Sequence, residues 1–271
     1  MKTAEGVLEC KAKGIFRKHD ITPLAGDNVV VEGQSGDYVI AEILERKNSF
    51  GRPALANADN LILVVSSVDP SPNILVLDKL IAMSCKADIK PTIVLTKTDI
   101  TKAAEFIGIY RRAGFSVIEI RRFKGIGLGK LTSMCKGKLS VFVGNSGAGK
   151  STLLNDLCPD LMLETGETSK KLGRGKHVTR AVELYDFKDG LIADTPGFSA
   201  LDFAGDINIK PDELALYFPD FAPYRDHCYF SGCSHTVEKD CAVLDALKRG
   251  KIEQSRHKSY CAMYKELGAR S

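Results

Sequence analysis

The sequence predicts a multi-domain fold with an N-terminal OB-type β-barrel, a central α/β domain and a C-terminal, mostly α domain. Three observations lead to this prediction. Short strands separated by turn residues occupy residues 1–55, buried strands then alternate with helices, and cysteine and histidine cluster near the end. We expect the domains to span residues 1–55, 56–205 and 206–271.

The composition is that of an ordinary folded protein. Of 271 residues, 44% are hydrophobic, which is enough for one to three domain cores. The first residues lack the apolar region of a signal peptide, and no apolar run reaches the length of a membrane span. We therefore expect a cytoplasmic protein without a membrane partner. In that compartment the eight cysteines are core residues, metal ligands or reactive thiols rather than disulfides.

The N-terminal domain is predicted from short apolar segments at residues 6–10, 14–17, 28–32 and 38–43. Turn-forming residues fill 22–27 and 33–37. So small a sheet has to protect its edges, and this favours a closed barrel of the OB type. A small β-domain that serves only as a spacer gives the same pattern and stays open as an alternative.

The stretch after an apolar strand at residues 141–143 has the G-x-x-x-x-G-K-S pattern of a phosphate-binding loop and leads into a helix. Glycines let successive backbone N–H groups turn toward a polyphosphate, and the helix adds its N-terminal dipole. In this pattern Lys150 reaches the β- and γ-phosphates and Ser151 ligates Mg²⁺. A glycine-rich turn without a ligand explains the order of strand, loop and helix less well. The predicted nucleotide-binding residues here are Gly144, Asn145, Ser146, Gly147, Ala148, Gly149, Lys150, Ser151 and Thr152.

A second motif, Thr96-Lys97-Thr98-Asp99, follows the buried strand predicted at residues 91–95. In GTPases an [NT]-K-x-D sequence selects guanine, because the Asp carboxylate accepts the ring N–H and the exocyclic amine while the Lys stem covers the base. The alternative is a polar loop with a helix N-cap at Asp99 or Thr101. Ligands of parallel α/β sheets bind at the carboxyl ends of the strands, and this position favours guanine recognition.

The order of the two motifs predicts a circular permutation. An ordinary GTPase has the phosphate loop first and the base-reading motif last, whereas here the base-reading motif precedes Gly144. A parallel sheet tolerates this rearrangement if the original termini lie close together. The central domain is thus predicted to be a circularly permuted α/β P-loop GTPase domain.

Two further segments complete the predicted nucleotide site. A strand at residues 190–193 runs into D-x-x-G, in which Asp194 holds Mg²⁺ through water and the Gly197 N–H meets the γ-phosphate. The polar, glycine-rich residues 166–180 suit a switch loop, and Thr179 can give Mg²⁺ a second hydroxyl; a solvated basic loop is the alternative. Phe198 stands where many GTPases place a water-orienting Gln, which predicts slow intrinsic hydrolysis.

Near the C-terminal end, three cysteines and one histidine have the spacing C-x₄-C-x-H-x₅-C. Four such ligands fill a tetrahedral Zn²⁺ site, so one structural zinc ion is expected to stabilise the C-terminal domain. His227 and His257 are alternative nitrogen ligands, and three unconnected buried cysteines are the alternative to a metal site. The predicted zinc ligands are Cys228, Cys233, His235 and Cys241.

With these motifs the chain resembles the RsgA (YjeQ) family of circularly permuted GTPases that act in small-ribosomal-subunit maturation. The resemblance covers nearly the whole chain and includes the Gly173-Arg174-Gly175-Lys176-His177 segment and Phe198. It implies an OB-fold, a permuted GTPase domain and a zinc domain. It also implies hydrolysis of GTP to GDP and phosphate, stimulated by the small subunit late in its assembly, with His177 placing the attacking water. Val178 and Arg121-Arg122 depart from the family pattern, which has Thr and Ser-Ala there.

The expected partners are GTP or GDP, the small ribosomal subunit and its rRNA, and we expect a monomer. The net charge of +4 matches the excess of residues 242–271, where seven basic residues face three acidic ones. Lys248, Arg249, Lys251 and Arg256 are therefore predicted to dock rRNA. Two alternatives are an ATP-using P-loop enzyme and a nucleic-acid-binding module with a regulatory, non-hydrolysing guanine nucleotide pocket.

Overall fold

The computed structural model describes residues 1–3, 6–14, 16, 21–34, 36–51, 54–101, 103–163, 182–195 and 209–269. Its N-terminal part is a β domain in which β3, β5 and β4 form one sheet, and β1–β2 and β6–β7 form two short antiparallel pairs. A bridge between Ala25 and Leu55 ties the turn region to β7. Of the strand predicted at residues 14–17, only Gly14 and Phe16 are described. The N-terminal strands are β1 (Lys2–Thr3), β2 (Gly6–Val7), β3 (Cys10–Ala12), β4 (Val29–Gln34), β5 (Asp37–Ile43), β6 (Ser49–Phe50) and β7 (Leu55–Ala56).

The central domain is a six-stranded sheet in the order β10-β9-β8-β11-β13-β12. All its neighbouring pairs are parallel except β12–β13. The inner strands are buried on both faces, which explains their continuous apolar runs. The strands are β8 (Asn60–Ser66), β9 (Thr92–Thr96), β10 (Ser116–Glu119), β11 (Leu139–Gly144), β12 (Glu183–Phe187) and β13 (Gly190–Asp194).

The sheet order confirms the permuted fold class. The strand that leads into the phosphate loop, β11, is central, with the D-x-x-G strand β13 on one side and β8 on the other. The base-reading strand β9 lies beyond β8, although it precedes β11 in the chain. A 3₁₀ turn and the helix Leu128–Cys135 connect β10 to β11, which is the junction that a permutation has to create.

Helices cover both faces of the sheet. Asn73 caps the first helix by accepting from the Val76 N–H at 3.1 Å. One face packs on α1, α2 and the C-terminal domain, and the other packs on α3 and α4. The helices are α1 (Ile74–Lys86), α2 (Ala104–Arg112), α3 (Leu128–Cys135) and α4 (Lys150–Leu157).

The described part of the C-terminal domain is helical, as predicted. It contains 3₁₀ turns at Pro211–Tyr217, Pro219–Phe221 and Arg225–His227, followed by α5 (Ala242–Lys248) and α6 (Gln254–Gly268). Helix α6 packs on α1, where Lys79 and Glu266 form an ion pair at 2.6 Å. Within the described residues, no helix combines the length and apolar character needed to cross a bilayer.

Candidate functional site

The strand register brings the predicted nucleotide-binding segments to one edge of the sheet. Phe142 of β11 lies opposite Asp194 of β13, and Gly144 lies opposite Val64 of β8. Ser66 of β8 in turn lies opposite Thr96 of β9. Because these strands are parallel, the loops that follow β9, β11 and β13 all leave from the carboxyl edge, where α/β sheets bind ligands.

The loop between β11 and α4 requires glycine where its backbone approaches the neighbouring strand. A Cβ on Gly144 would lie 2.7 Å from the carbonyl oxygen of Val64. Gly149, immediately before α4, has a φ of 87°, which a side chain would strain. The loop therefore has the close-packed, glycine-dependent form that a phosphate cradle needs.

The Thr96–Asp99 segment is hydrogen-bonded to the phosphate loop. The Thr96 hydroxyl donates to the Ala148 carbonyl at 2.6 Å, and Lys97 Nζ donates to the Gly147 carbonyl at 3.0 Å. Lys97 Nζ also contacts the Asp69 carbonyl. Thus the two motifs that the sequence separates by more than 40 residues form one structural unit.

Asp99 has the exposure expected of a ligand-binding carboxylate rather than that of a helix cap. Its side chain is exposed, and the N-cap of the following helix is Ala103, which makes no side-chain capping bond. Neither Asp99 nor Thr101 is the N-cap, so the capping role that the sequence left open for them is not observed. Thr98 lies beside it and donates to the Ile120 carbonyl at 2.9 Å.

Charged side chains of opposite sign meet at the mouth of the phosphate loop. Lys150, the first residue of α4, forms an ion pair with Asp194 at the end of β13. The Thr195 hydroxyl donates to the Phe142 carbonyl at 2.7 Å and fixes the chain that follows β13. Ser151 follows Lys150 in the first turn of α4, at the position where the motif provides a hydroxyl ligand for Mg²⁺.

The remaining residues predicted for the nucleotide site either lie in the loop and the helix after it or fall outside the described residues. Asn145 and Ser146 are in the loop, and Thr152 is in the first turn of α4. Gly197, His177 and Thr179, together with Val178 and Phe198, lie outside the described residues.

The four predicted zinc ligands converge in the C-terminal domain. Their ligand atoms all lie within 4.8 Å of one another. Cys228 Sγ is 3.7 Å from Cys241 Sγ, and His235 Nδ1 is 3.4 Å and 3.5 Å from these two sulfur atoms. A tetrahedral Zn²⁺ with Zn–S bonds of ~2.3 Å places its ligands ~3.5–3.8 Å apart. The spacing and the chemistry of the donor atoms therefore fit a zinc ion.

Neither alternative histidine belongs to the cluster. Instead, His257 Nε2 lies 2.8 Å from the His235 carbonyl oxygen, so the His257 ring supports the backbone of the loop that carries the cluster. The Tyr260 hydroxyl donates to the neighbouring Ser234 carbonyl at 2.8 Å. Such outer contacts orient metal ligands.

Glu238 organises the ligand loop, and the sequence analysis does not identify it. Its carboxylate accepts from the backbone N–H groups of Ser234, Thr236 and Val237 at 2.8, 3.0 and 3.1 Å. Burial alone would raise the pKa of Glu238, but the hydrogen bonds from Ser234 and the loop backbone lower that pKa to about 2. No spacing signal reveals such a residue, because its partners are backbone groups.

Burial raises the pKa of the Cys233 thiol to about 12 and also raises the pKa of Cys241. Thiolates in this position need a nearby cation to be stable. A bound metal ion would supply that charge.

Comparison with known families gives two matches along the chain. Residues 1–46 match the RsgA N-terminal domain, and residues 43–204 match the RsgA GTPase. A small ribosomal subunit biogenesis GTPase RsgA of Geobacillus sp. (strain WCH70) is 43% identical over 97% of this chain and 92% of its own length. The protein of the same name from Ruminiclostridium cellulolyticum is 40% identical over 97% of this chain and 87% of its own length.

Solved structures agree with these matches. YloQ, described as a circularly permuted GTPase, has a TM-score of 0.78 and 35% identity, with 98% of this chain and 88% of that chain covered. YjeQ from Thermotoga maritima has a TM-score of 0.80 and 31% identity, with 99% of this chain and 93% of that chain covered. Motifs, fold and relatives agree, and the chain belongs to the RsgA GTPase family.

Proposed function

We propose that this protein hydrolyses GTP to GDP and phosphate, that the small ribosomal subunit stimulates it, and that it acts in late maturation of that subunit. The observation that carries the proposal is the joining of the Thr96–Asp99 segment to the phosphate loop through Thr96 and Lys97. It gives one site a base-reading carboxylate and a phosphate cradle. The names of the relatives support the small subunit as the partner.

Different residues of the site bind different parts of the nucleotide. Backbone N–H groups of the loop from Gly144 to Thr152 hold the phosphates, and Lys150 neutralises the β- and γ-phosphates. Lys150 is paired with Asp194, and a bound polyphosphate would compete with that carboxylate for the ammonium group. Asp99 accepts from the guanine edge, and Lys97, already anchored on the loop, covers the base with its stem.

Mg²⁺ bound with GTP neutralises charge that develops on the phosphates. Ser151 and Thr179 supply its protein hydroxyls, and Asp194 holds it through water. We further propose that the Gly197 N–H meets the γ-phosphate and that His177 places the attacking water.

The Cys₃His cluster holds one structural zinc ion. Four protein ligands leave no open position, so this ion stabilises the C-terminal domain and takes no part in hydrolysis. Glu238, His257 and Tyr260 keep the ligand loop in shape through their backbone contacts.

Docking on rRNA uses the exposed basic residues that follow the zinc loop. Lys248, Arg249 and Lys251 are exposed at the end of α5 and just after it. The prediction for Arg256 is wrong, because the Arg256 side chain is completely buried and paired with Asp78 and Asp220. Helical periodicity agrees with this burial, because Arg256 lies at helical spacing from the buried residues Tyr260, Met263 and Leu267 of α6.

The protein acts as a monomer in the cytoplasm, where small subunits mature. We propose the domain boundaries 1–55, 56–205 and 206–271, supported by the pairing of β7 with β6 and by the end of the GTPase match at residue 204.

Competition for a fluorescent GDP analogue tests the nucleotide site. GTP should displace the analogue and ATP should not, and release of phosphate from GTP should be slow but measurable. Displacement by ATP would favour the ATP-using enzyme. Binding of GTP without phosphate release, even with small subunits present, would favour the nucleic-acid-binding module with a regulatory pocket.

A further inference from the structure

An ion pair joins the loop after β10 to the helix that follows the phosphate loop. Arg122 Nε lies 2.8 Å from Asp156 Oδ2, and Arg122 Nη2 lies 2.9 Å from Asp156 Oδ1. This is the parallel, two-bond arrangement that only a guanidinium can make with a carboxylate. The exposed fractions are 56% for the Arg122 side chain and 18% for that of Asp156, so the pair is partly shielded from water.

The loop that carries Arg122 lies beside the base-reading segment. Glu119 of β10 is opposite Leu95 of β9, and the Ile120 N–H continues the ladder by donating to the Leu95 carbonyl at 2.8 Å. The Thr98 hydroxyl donates to the carbonyl of the same residue, Ile120, at 2.9 Å. The backbone at residues 121–122 therefore lies next to the segment that presents Asp99.

Asp156 is at the opposite end of α4 from Lys150 and Ser151. It lies one residue before the end of α4, at Leu157, where the negative end of the helix dipole disfavours a carboxylate. Arg122 provides the compensating positive charge. On the neighbouring residue, the Asn155 side chain makes two hydrogen bonds of 2.9 Å with the backbone of Leu163. Contacts of Asn155 and Asp156 thus fix the end of α4. The contact with Arg122 connects this end to the loop after β10, which lies beside the Thr96–Asp99 segment.

We propose that the Arg122–Asp156 pair is a positioning device that fixes the spacing between the guanine-reading loops and the phosphate-binding helix. This inference rests on the proposed guanine nucleotide site. The affinity for a ligand that contacts both the guanine-reading loops and the phosphate-binding helix, such as GDP, should depend on the pair, because the two parts have to be correctly spaced. The affinity for a ligand that contacts only the phosphate-binding part, such as inorganic pyrophosphate, should not depend on the pair.

The test measures the affinity of GDP and of pyrophosphate for wild type, Arg122→Ala, Asp156→Ala and the double variant. We expect either single substitution to weaken GDP binding about two- to fivefold, with little further loss in the double variant, and to leave pyrophosphate binding unchanged. Arg122→Lys should restore only part of the GDP affinity, because an ammonium cannot make the two-bond contact. Arg112→Ala is the matched control, since Arg112 pairs with Glu253 at 2.5 Å on helices away from the pocket.

Unchanged GDP affinity in Arg122→Ala would overturn the inference while leaving the nucleotide site intact. An equal loss of affinity for GDP and for pyrophosphate would also overturn the inference, because that result indicates general disruption of the phosphate loop. Failure of wild type to bind GDP would instead contradict the proposed function. A thermal unfolding midpoint within a few degrees of wild type establishes that the variants are folded.

Discussion

Replacing Arg256 with Met should destabilise the contact between the C-terminal and GTPase domains more than any exposed substitution. Arg256 Nη1 is 2.6 Å from Asp78 Oδ1 on α1, and Nη2 is 2.7 Å from Asp220 Oδ1. Tyr110 on α2 also donates to Asp78, at 3.1 Å. The guanidinium lies over the Phe218 ring, 4.6 Å from its centroid. One buried guanidinium therefore pairs with two carboxylates at the junction of the two domains.

The magnitude follows from what the substitution leaves behind. Removing one partner of a buried ion pair costs about 3–5 kcal/mol, because the remaining charge is buried without compensation. For a chain of this size, that corresponds to a fall of roughly 6–20 °C in the unfolding midpoint. Arg112→Met, at a pair in which Arg112 is mostly exposed, should cost less than about 1 kcal/mol.

The loss of stability in Arg256→Met should also depend on pH. Burial raises the pKa of Asp78, and the nearby Arg256 opposes that rise. Without Arg256 the folded pKa of Asp78 rises further above its unfolded value. A raised carboxyl pKa contributes stability at low pH that is lost as pH rises through the folded value. Arg256→Met should therefore be closer to wild type at pH 5 than at pH 8.

Thermal unfolding of the zinc-loaded protein, followed by circular dichroism, measures both effects. Adding Asp78→Leu and Asp220→Leu to Arg256→Met should recover much of the loss, since apolar groups can replace a whole buried ion cluster. A midpoint for Arg256→Met equal to that of wild type at pH 8 would refute the reasoning. So would a triple variant less stable than Arg256→Met alone.

Three further predictions concern the ligands and the partner. Asp99→Asn should shift preference from guanine toward xanthine nucleotides without loss of fold, and unchanged GTP affinity in a direct titration would show that Asp99 does not read the base. Purified, reduced protein should contain one zinc ion per chain by elemental analysis, and Cys233→Ala should unfold the C-terminal domain but keep nucleotide binding; metal-free wild type would remove the site. Replacing Lys248, Arg249 and Lys251 with Ala should weaken binding to small subunits and flatten its salt dependence while basal GTP turnover stays the same. An unchanged salt dependence would place docking elsewhere, such as the N-terminal β domain.

The order of elements and most of the nucleotide site could be predicted from the sequence, because local patterns specify them. Buried parallel strands are continuous apolar runs, and the strand predicted at residues 141–143 is observed within β11. The phosphate loop follows from its glycines and lysine. Spacing also predicted that Cys228, Cys233, His235 and Cys241 would lie together, and the structure brings their ligand atoms within 4.8 Å of one another.

Contacts between distant residues could not be predicted in this way. Arg256 looks like one more base of a positive tail, yet it pairs with a residue 178 positions earlier. Arg122 looks like a departure from a family motif, and its partner Asp156 belongs to a different element. In each case the charge is visible in the sequence, but its partner depends on how the domains and helices pack.

Turnover of GTP with and without purified small ribosomal subunits tests the central claim most directly. The protein alone should turn over slowly, and small subunits should raise the rate severalfold or more. Large subunits should not raise it, and Lys150→Ala should abolish the stimulated rate because the phosphates lose their cation. A rate that is the same with small subunits, with large subunits and with neither would contradict the proposed function.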